Sequence, residues 1–161
     1  MIQEKTISEL EDRQIKQIAA ADKAISSNPN YSLEIYSAIL KLEPGCLDLR
    51  KKLRTLQLRM AQNSSKGLSG LFGKVTAAPF MFRGKTDKNP AQTLAKAEDL
   101  IEKSVVNDMA HLMLVEAARN LDMKQTVVFG LETIRQINPK DIKNLKDLGN
   151  AYLEVGDTEK T

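Results

Sequence analysis

The sequence predicts an all-α fold, and three observations carry the prediction. Apolar residues recur at spacings of three and four in successive segments. Pro, Gly and Asn clusters, which interrupt helices, separate those segments. Only Thr76–Phe82 reads as a strand, and a lone strand has no partner for its backbone groups. With 42% hydrophobic and 28% charged residues, the 161-residue chain has a soluble, globular composition.

The first helix is predicted from Ile7, Leu10, Ile18, Ala21 and Ile25. Thr6 and Glu9 match a capping box at its start, and Ser27-Asn28-Pro29-Asn30 ends it. Leu33, Tyr36, Ile39 and Leu40 form the stripe of a second helix, stopped by Pro44-Gly45. A third begins near Cys46 and carries Leu49, Leu53, Leu56 and Met60. The period is lost over residues 63–89, where Gly67, Gly70, Gly73, Gly84 and Pro79 fall, and a long irregular insertion is expected there. Helical patterning resumes at Pro90, a favourable first-turn residue, with Leu94, Ala97, Leu100 and Ile101. Three more helices are predicted: Met109 to Leu121, Val127 to Ile137 before Asn138-Pro139, and Ile142 to Val155 before Gly156-Asp157.

Two helix ends look alike. Ala38 to Pro44 and Glu132 to Pro139 each place an apolar pair shortly before a proline. The last helix reads Leu145, Leu148-Gly149, Tyr152 and Gly156-Asp157. In these residues the chain resembles the tetratricopeptide repeat (TPR), a 34-residue helix–turn–helix with a Leu-Gly-x-x-Tyr pattern and a terminal Pro. The register gives repeats at 13–46, 47–107 with the insertion, 108–141, and an incomplete one at 142–161. Arg54 and Val115 stand where the family has small residues, which marks a divergent member. The resemblance implies antiparallel helix pairs stacked as an α-solenoid. Stacking then closes a core that no single pair can bury. The last helix, ending the array, would leave Leu145, Leu148, Tyr152 and Val155 partly uncovered.

Most chemistry is disfavoured. One His and one Cys cannot supply a common zinc site, and one Cys cannot form a disulfide within the chain. Gly67 to Thr76 superficially matches a phosphate-binding loop, but Leu68 and Val75 stand where Gly and Ser or Thr are needed. His111 has no triad spacing around it and reads as a packed or surface residue. Cys46, at a helix start, reads as a small buried hydrophobe. No enzyme activity, metal or cofactor is expected. The opening residues run into Glu9, Glu11 and Asp12 without an apolar leader core, so a cytoplasmic location is expected.

Two features point to partners. From Leu49 through Thr86 there is no Asp or Glu, while Arg50, Lys51, Lys52, Arg54, Arg59, Lys66, Lys74, Arg83 and Lys85 fall there. Such a stretch suits an anionic partner: an acidic protein, a membrane surface or, least favoured, RNA. The alternative is a solvated face or pairing within the chain. Phe72, Phe80 and Phe82 in the insertion are expected to fold back onto the helices while its basic residues stay in solvent.

The resemblance implies a non-enzymatic scaffold that binds a peptide or partner protein on a concave helical face. Its register selects Met109, Leu112, Glu116, Arg119, Lys143, Lys146, Asn150 and Leu153 for that face. Lys143, Lys146 and Asn150 resemble part of the carboxylate-binding set of chaperone-tail-binding relatives. The alternative is a structural segment of a larger protein, or a homo-oligomer joined through the uncovered last helix.

Overall fold

A computed structural model describes residues 2–63 and 89–156. The helices are α1 (Asp12–Ala24), α2 (Pro29–Leu42), α3 (Leu47–Asn63), α4 (Pro90–Lys103), α5 (Asp108–Asn120), α6 (Lys124–Ile137) and α7 (Ile142–Val155). The fold is all-α, with no named strand among the described residues. The candidate strand and the glycine-rich loop lie outside those residues, as do Lys66, Phe72, Lys74, Phe80, Phe82, Arg83 and Lys85 of the insertion.

The start of the first helix differs from the expectation. The Thr6–Glu9 box closes only a 3-10 turn, Ile7–Glu9, in which the Thr6 N–H donates to the Glu9 carboxylate at 2.7 Å. Leu10 is extended and turns its side chain into the core. A second box then opens α1, where the Glu11 N–H donates to Gln14 Oε1 at 3.1 Å. The sequence pattern merged two capped starts because Ile7 and Leu10 happen to fit the helical period.

Consecutive helices pack on one another from α1 to α3 and from α4 to α7. Two cores result. Ile18, Ala21, Tyr36, Ile39, Leu40, Leu49 and Leu53 centre the first. Leu94, Ile101, Leu114, Ala118, Leu131, Ile134 and Leu148 centre the second. The third helix enters both, with Leu56 in the first and Leu58 in the second. Each fully buried Leu or Ile contributes about 1.5–3 kcal/mol.

Polar pins fix the pairs. The Ser32 hydroxyl donates to the Ala21 carbonyl at 2.7 Å, tying α2 to α1. Asn144 Nδ2 donates to the Leu131 carbonyl at 3.0 Å, tying α7 to α6. Val115, where the resembled family has a small residue, finds its space on the facing helix. A Cβ built on Gly130 would lie 2.6 Å from Val115 Cγ2, so the missing side chain of α6 admits the larger one of α5.

Between α3 and α4 the contact is of another kind. These helices meet chiefly through long side chains, with Arg50 and Arg54 of α3 reaching Glu98 of α4.

Candidate functional site

The residues selected for a binding face fall on α5 and α7. Their placement follows from the helical period: Ala110, Leu114 and Ala117 turn into the core, which directs Met109, Glu116 and Arg119 outward. Leu112 is half-buried and packs at the core edge. On α7, Asn144, Leu148, Ala151 and Tyr152 face inward, and Lys143, Lys146, Asn150 and Leu153 are exposed.

The last helix is covered more fully than expected. Leu148 and Tyr152 are only 2% and 3% exposed, because α6 packs over them and the Tyr152 hydroxyl donates to Glu132 at 2.7 Å. Val155 is half-buried. Leu145 does stand out at 42% exposure, beside Ile142 at 68% and Leu153 at 54%. With Gly149 these make a second apolar stripe at spacings of three, four and four, next to the buried one.

The basic stretch is partly consumed inside the molecule. Arg50 and Arg54 are 0% and 1% exposed. Arg50 Nε donates to Glu98 Oε1 at 2.7 Å, and Arg54 Nη2 donates to Glu98 Oε2 at 2.7 Å. Arg50 also donates to the Pro44 carbonyl, and Arg54 to Gln57. Lys52 pairs with Asp22 of α1 at 3.0 Å, and Asp22 also accepts from the Tyr36 hydroxyl. Of the four cations Arg50 to Arg54, only Lys51 is exposed; Arg59, further along α3, is exposed as well.

The Arg–Glu–Arg cluster sets the local electrostatics. Burial alone would raise the Glu98 carboxyl, but the adjacent Arg54 and Arg50 charges and their hydrogen bonds override it and hold Glu98 at about 2. Burial lowers the Arg54 guanidinium, with Glu98 opposing that shift. One edge of the cluster lies in the wall of a cavity of about 430 Å³ between α2, α3 and α4. Leu40, Leu53 and Leu94 line it, and Lys41 stands there in ion pairs with Asp99 at 3.6 Å and Glu102 at 3.3 Å. Arg50 Nη1 and Arg54 Nε are buried without a hydrogen-bond partner.

Neither His111 nor Cys46 is placed for catalysis. His111 Nε2 donates to the Val105 carbonyl at 2.8 Å in the interior. Burial, joined by the Arg54 charge, lowers its pKa to about 4, so the ring is neutral at pH 7. Cys46 is fully buried, and burial pushes its thiol up. Among the described residues no group of three or more His, Cys, Asp or Glu could hold a metal ion. No helix among them is long and apolar enough to cross a membrane.

The fold and these surfaces define an all-helical protein of paired helices, with an exposed mixed apolar and basic face on its last helix. No family model matches the sequence, and no curated protein or solved structure matches it.

Proposed function

We propose that this chain is a non-enzymatic scaffold, an α-solenoid of TPR-like helix pairs that binds a peptide or partner protein on a concave helical face to which α5 and α7 contribute their exposed residues. One observation carries the reading: Lys143, Lys146, Asn150 and Leu153 form a single exposed face opposite the stripe that α7 buries. Two ammonium groups, an amide and an apolar side chain suit an acidic or carboxylate-ended peptide with an apolar residue beside its charge. Met109, Glu116 and Arg119 extend the candidate surface on α5.

The test is a titration with peptides ending in acidic residues and a free carboxylate. Lys146→Glu and Asn150→Ala should weaken binding about tenfold or more, the loss of one charge-assisted contact, while leaving the melting temperature unchanged. Unaltered affinity in both variants would remove this surface from consideration.

The exposed Ile142, Leu145 and Leu153 stripe favours a second reading, a structural segment that self-associates through α7. Sedimentation over a hundredfold concentration range tests it. Leu145→Glu with Leu153→Glu should abolish any concentration-dependent dimer, and a wild-type monomer throughout would end that reading.

A further inference from the structure

The start of α6 lacks what four of the other helices have. The side chains of Asn28, Asn89, Asn107 and Asp141 cap α2, α4, α5 and α7 respectively. Helix α6 begins after Met123, whose side chain caps nothing. Its cap comes instead from the far end of the sequence. The Glu4 carboxylate accepts from the Gln125 N–H at 3.1 Å and from the Thr126 N–H. A carboxylate on the free N–H groups of a helix start is favoured both by hydrogen bonding and by the helix dipole.

The arm that carries Glu4, residues 2–6, is held to the chain after α2 by a single backbone bridge at Lys5. The Lys5 N–H donates to the Gly45 carbonyl at 3.0 Å, and the Leu47 N–H donates to the Lys5 carbonyl at 3.1 Å. These two bonds pair Lys5 with Cys46 in parallel fashion. The Lys5 ammonium meets Glu43, and Ile2 packs against the second core. Gly45 is what permits the approach, since a Cβ there would fall 1.8 Å from the Gln3 carbonyl oxygen. A cleft of about 680 Å³, walled by the arm, Pro44, Pro90 and Leu121, runs alongside.

We infer that the seat formed by the Pro44-Gly45 turn and the start of α6 is a recognition site for an extended segment bearing a carboxylate, and that residues 2–6 occupy it as an exchangeable ligand within the chain. The features are those a peptide site needs: backbone pairing at one residue, a fixed anion seat, an apolar contact before it and an acidic partner for the basic residue after it. Two backbone bonds and a few side-chain contacts hold the arm, of which Ile2 touches the edge of the second core. This site is separate from the exposed residues of α5 and α7.

The probe is a fluorescent peptide of residues 2–8, titrated into the full chain and into an Ile2→Asp/Glu4→Lys variant whose own arm is disengaged. The peptide should bind the variant at least tenfold more tightly than the wild type. A peptide with Glu4→Ala should bind the variant at least tenfold more weakly than the native one, and Gly45→Val in the variant should abolish binding. Equal affinity for variant and wild type, no binding to a folded variant, or indifference to Glu4 would overturn the inference. If circular dichroism shows the variant unfolded, amide exchange in the wild type decides. Exchange of the Lys5, Gln125 and Thr126 amides together, faster than the Leu131 amide of the core, supports an exchangeable arm. Exchange of all four only on global unfolding refutes it.

Discussion

Replacing Glu98 by Gln tests the physics of the buried cluster. The carboxylate accepts one bond from each of two guanidinium groups, both at 2.7 Å. The amide keeps the shape, but it removes the only anion paired with both arginines in these bonds and turns an N–H pair toward one of them. A carboxyl held at about 2 in the fold, against an ordinary 4.5, contributes ~3 kcal/mol at neutral pH, at ~1.4 kcal/mol for each pH unit between the two values. Loss of one member of a buried ion pair typically costs about 3–5 kcal/mol, which agrees. Because the folded-state value is depressed, this stability is present above about pH 4.5 and is lost as pH falls toward 2. Urea unfolding followed by circular dichroism reads both quantities. Wild type should exceed Glu98→Gln by ~3 kcal/mol at pH 7 and by less than about half of that at pH 3. A gap below about 1 kcal/mol at pH 7, or a gap independent of pH, would refute the claim that Glu98 neutralises a buried cation pair.

His111 supplies a separate pH window. Its depressed folded-state value means the open chain takes up a proton first as pH falls from 6.5, so the fold should lose up to ~3 kcal/mol by about pH 4. His111→Gln should flatten stability across that window in the same urea series; an unchanged slope would show that the ring is not held neutral. Gly130→Ala should destabilise by about 1–3 kcal/mol through overpacking against Val115, and Val115→Ala in the same chain should restore at least half, as read by melting curves. Native Cys46 should react with a thiol-specific disulfide reagent only at the rate of opening, at least a hundredfold more slowly than in 6 M guanidinium, since it is both buried and held as the thiol.

The positions of the seven helices among the described residues are legible because each buries a stripe of regular period, and several end near Pro, Gly or Asn. The helix starts were less legible: a capping box reports a turn, and at Thr6 the turn proved to be 3-10. The buried cluster is hidden in the sequence because the charge run groups Arg50 and Arg54 with their basic neighbours rather than with their helical face. At about 100° per residue, both lie between Leu53 and Leu58, so apolar residues bracket them. Glu98 likewise lies at the edge of the stripe of Leu94, Ala97 and Ile101. A carboxylate beside one apolar stripe and two guanidinium groups inside another become candidates for pairing once the charge is counted by face rather than along the chain. The Glu4 cap left a fainter trace, an apolar Met123 where four other helices place Asn or Asp. Nothing local pairs that gap with a carboxylate about 120 residues away.

The meeting of Val115 and Gly130 bears on how such a chain is recognised. The separation of two packed helices depends on the summed bulk of the facing residues, and that sum is unchanged when large and small exchange sides. A rule that demands a small residue on one particular helix would therefore score this interface as a violation, although its two helices still approach closely. Selection acting on the sum would let the two positions drift as a pair, each free alone and neither free of the other. A detector that weighs facing residues jointly would register α5 and α6 as an ordinary close pair, where one that reads single columns sees a valine out of place.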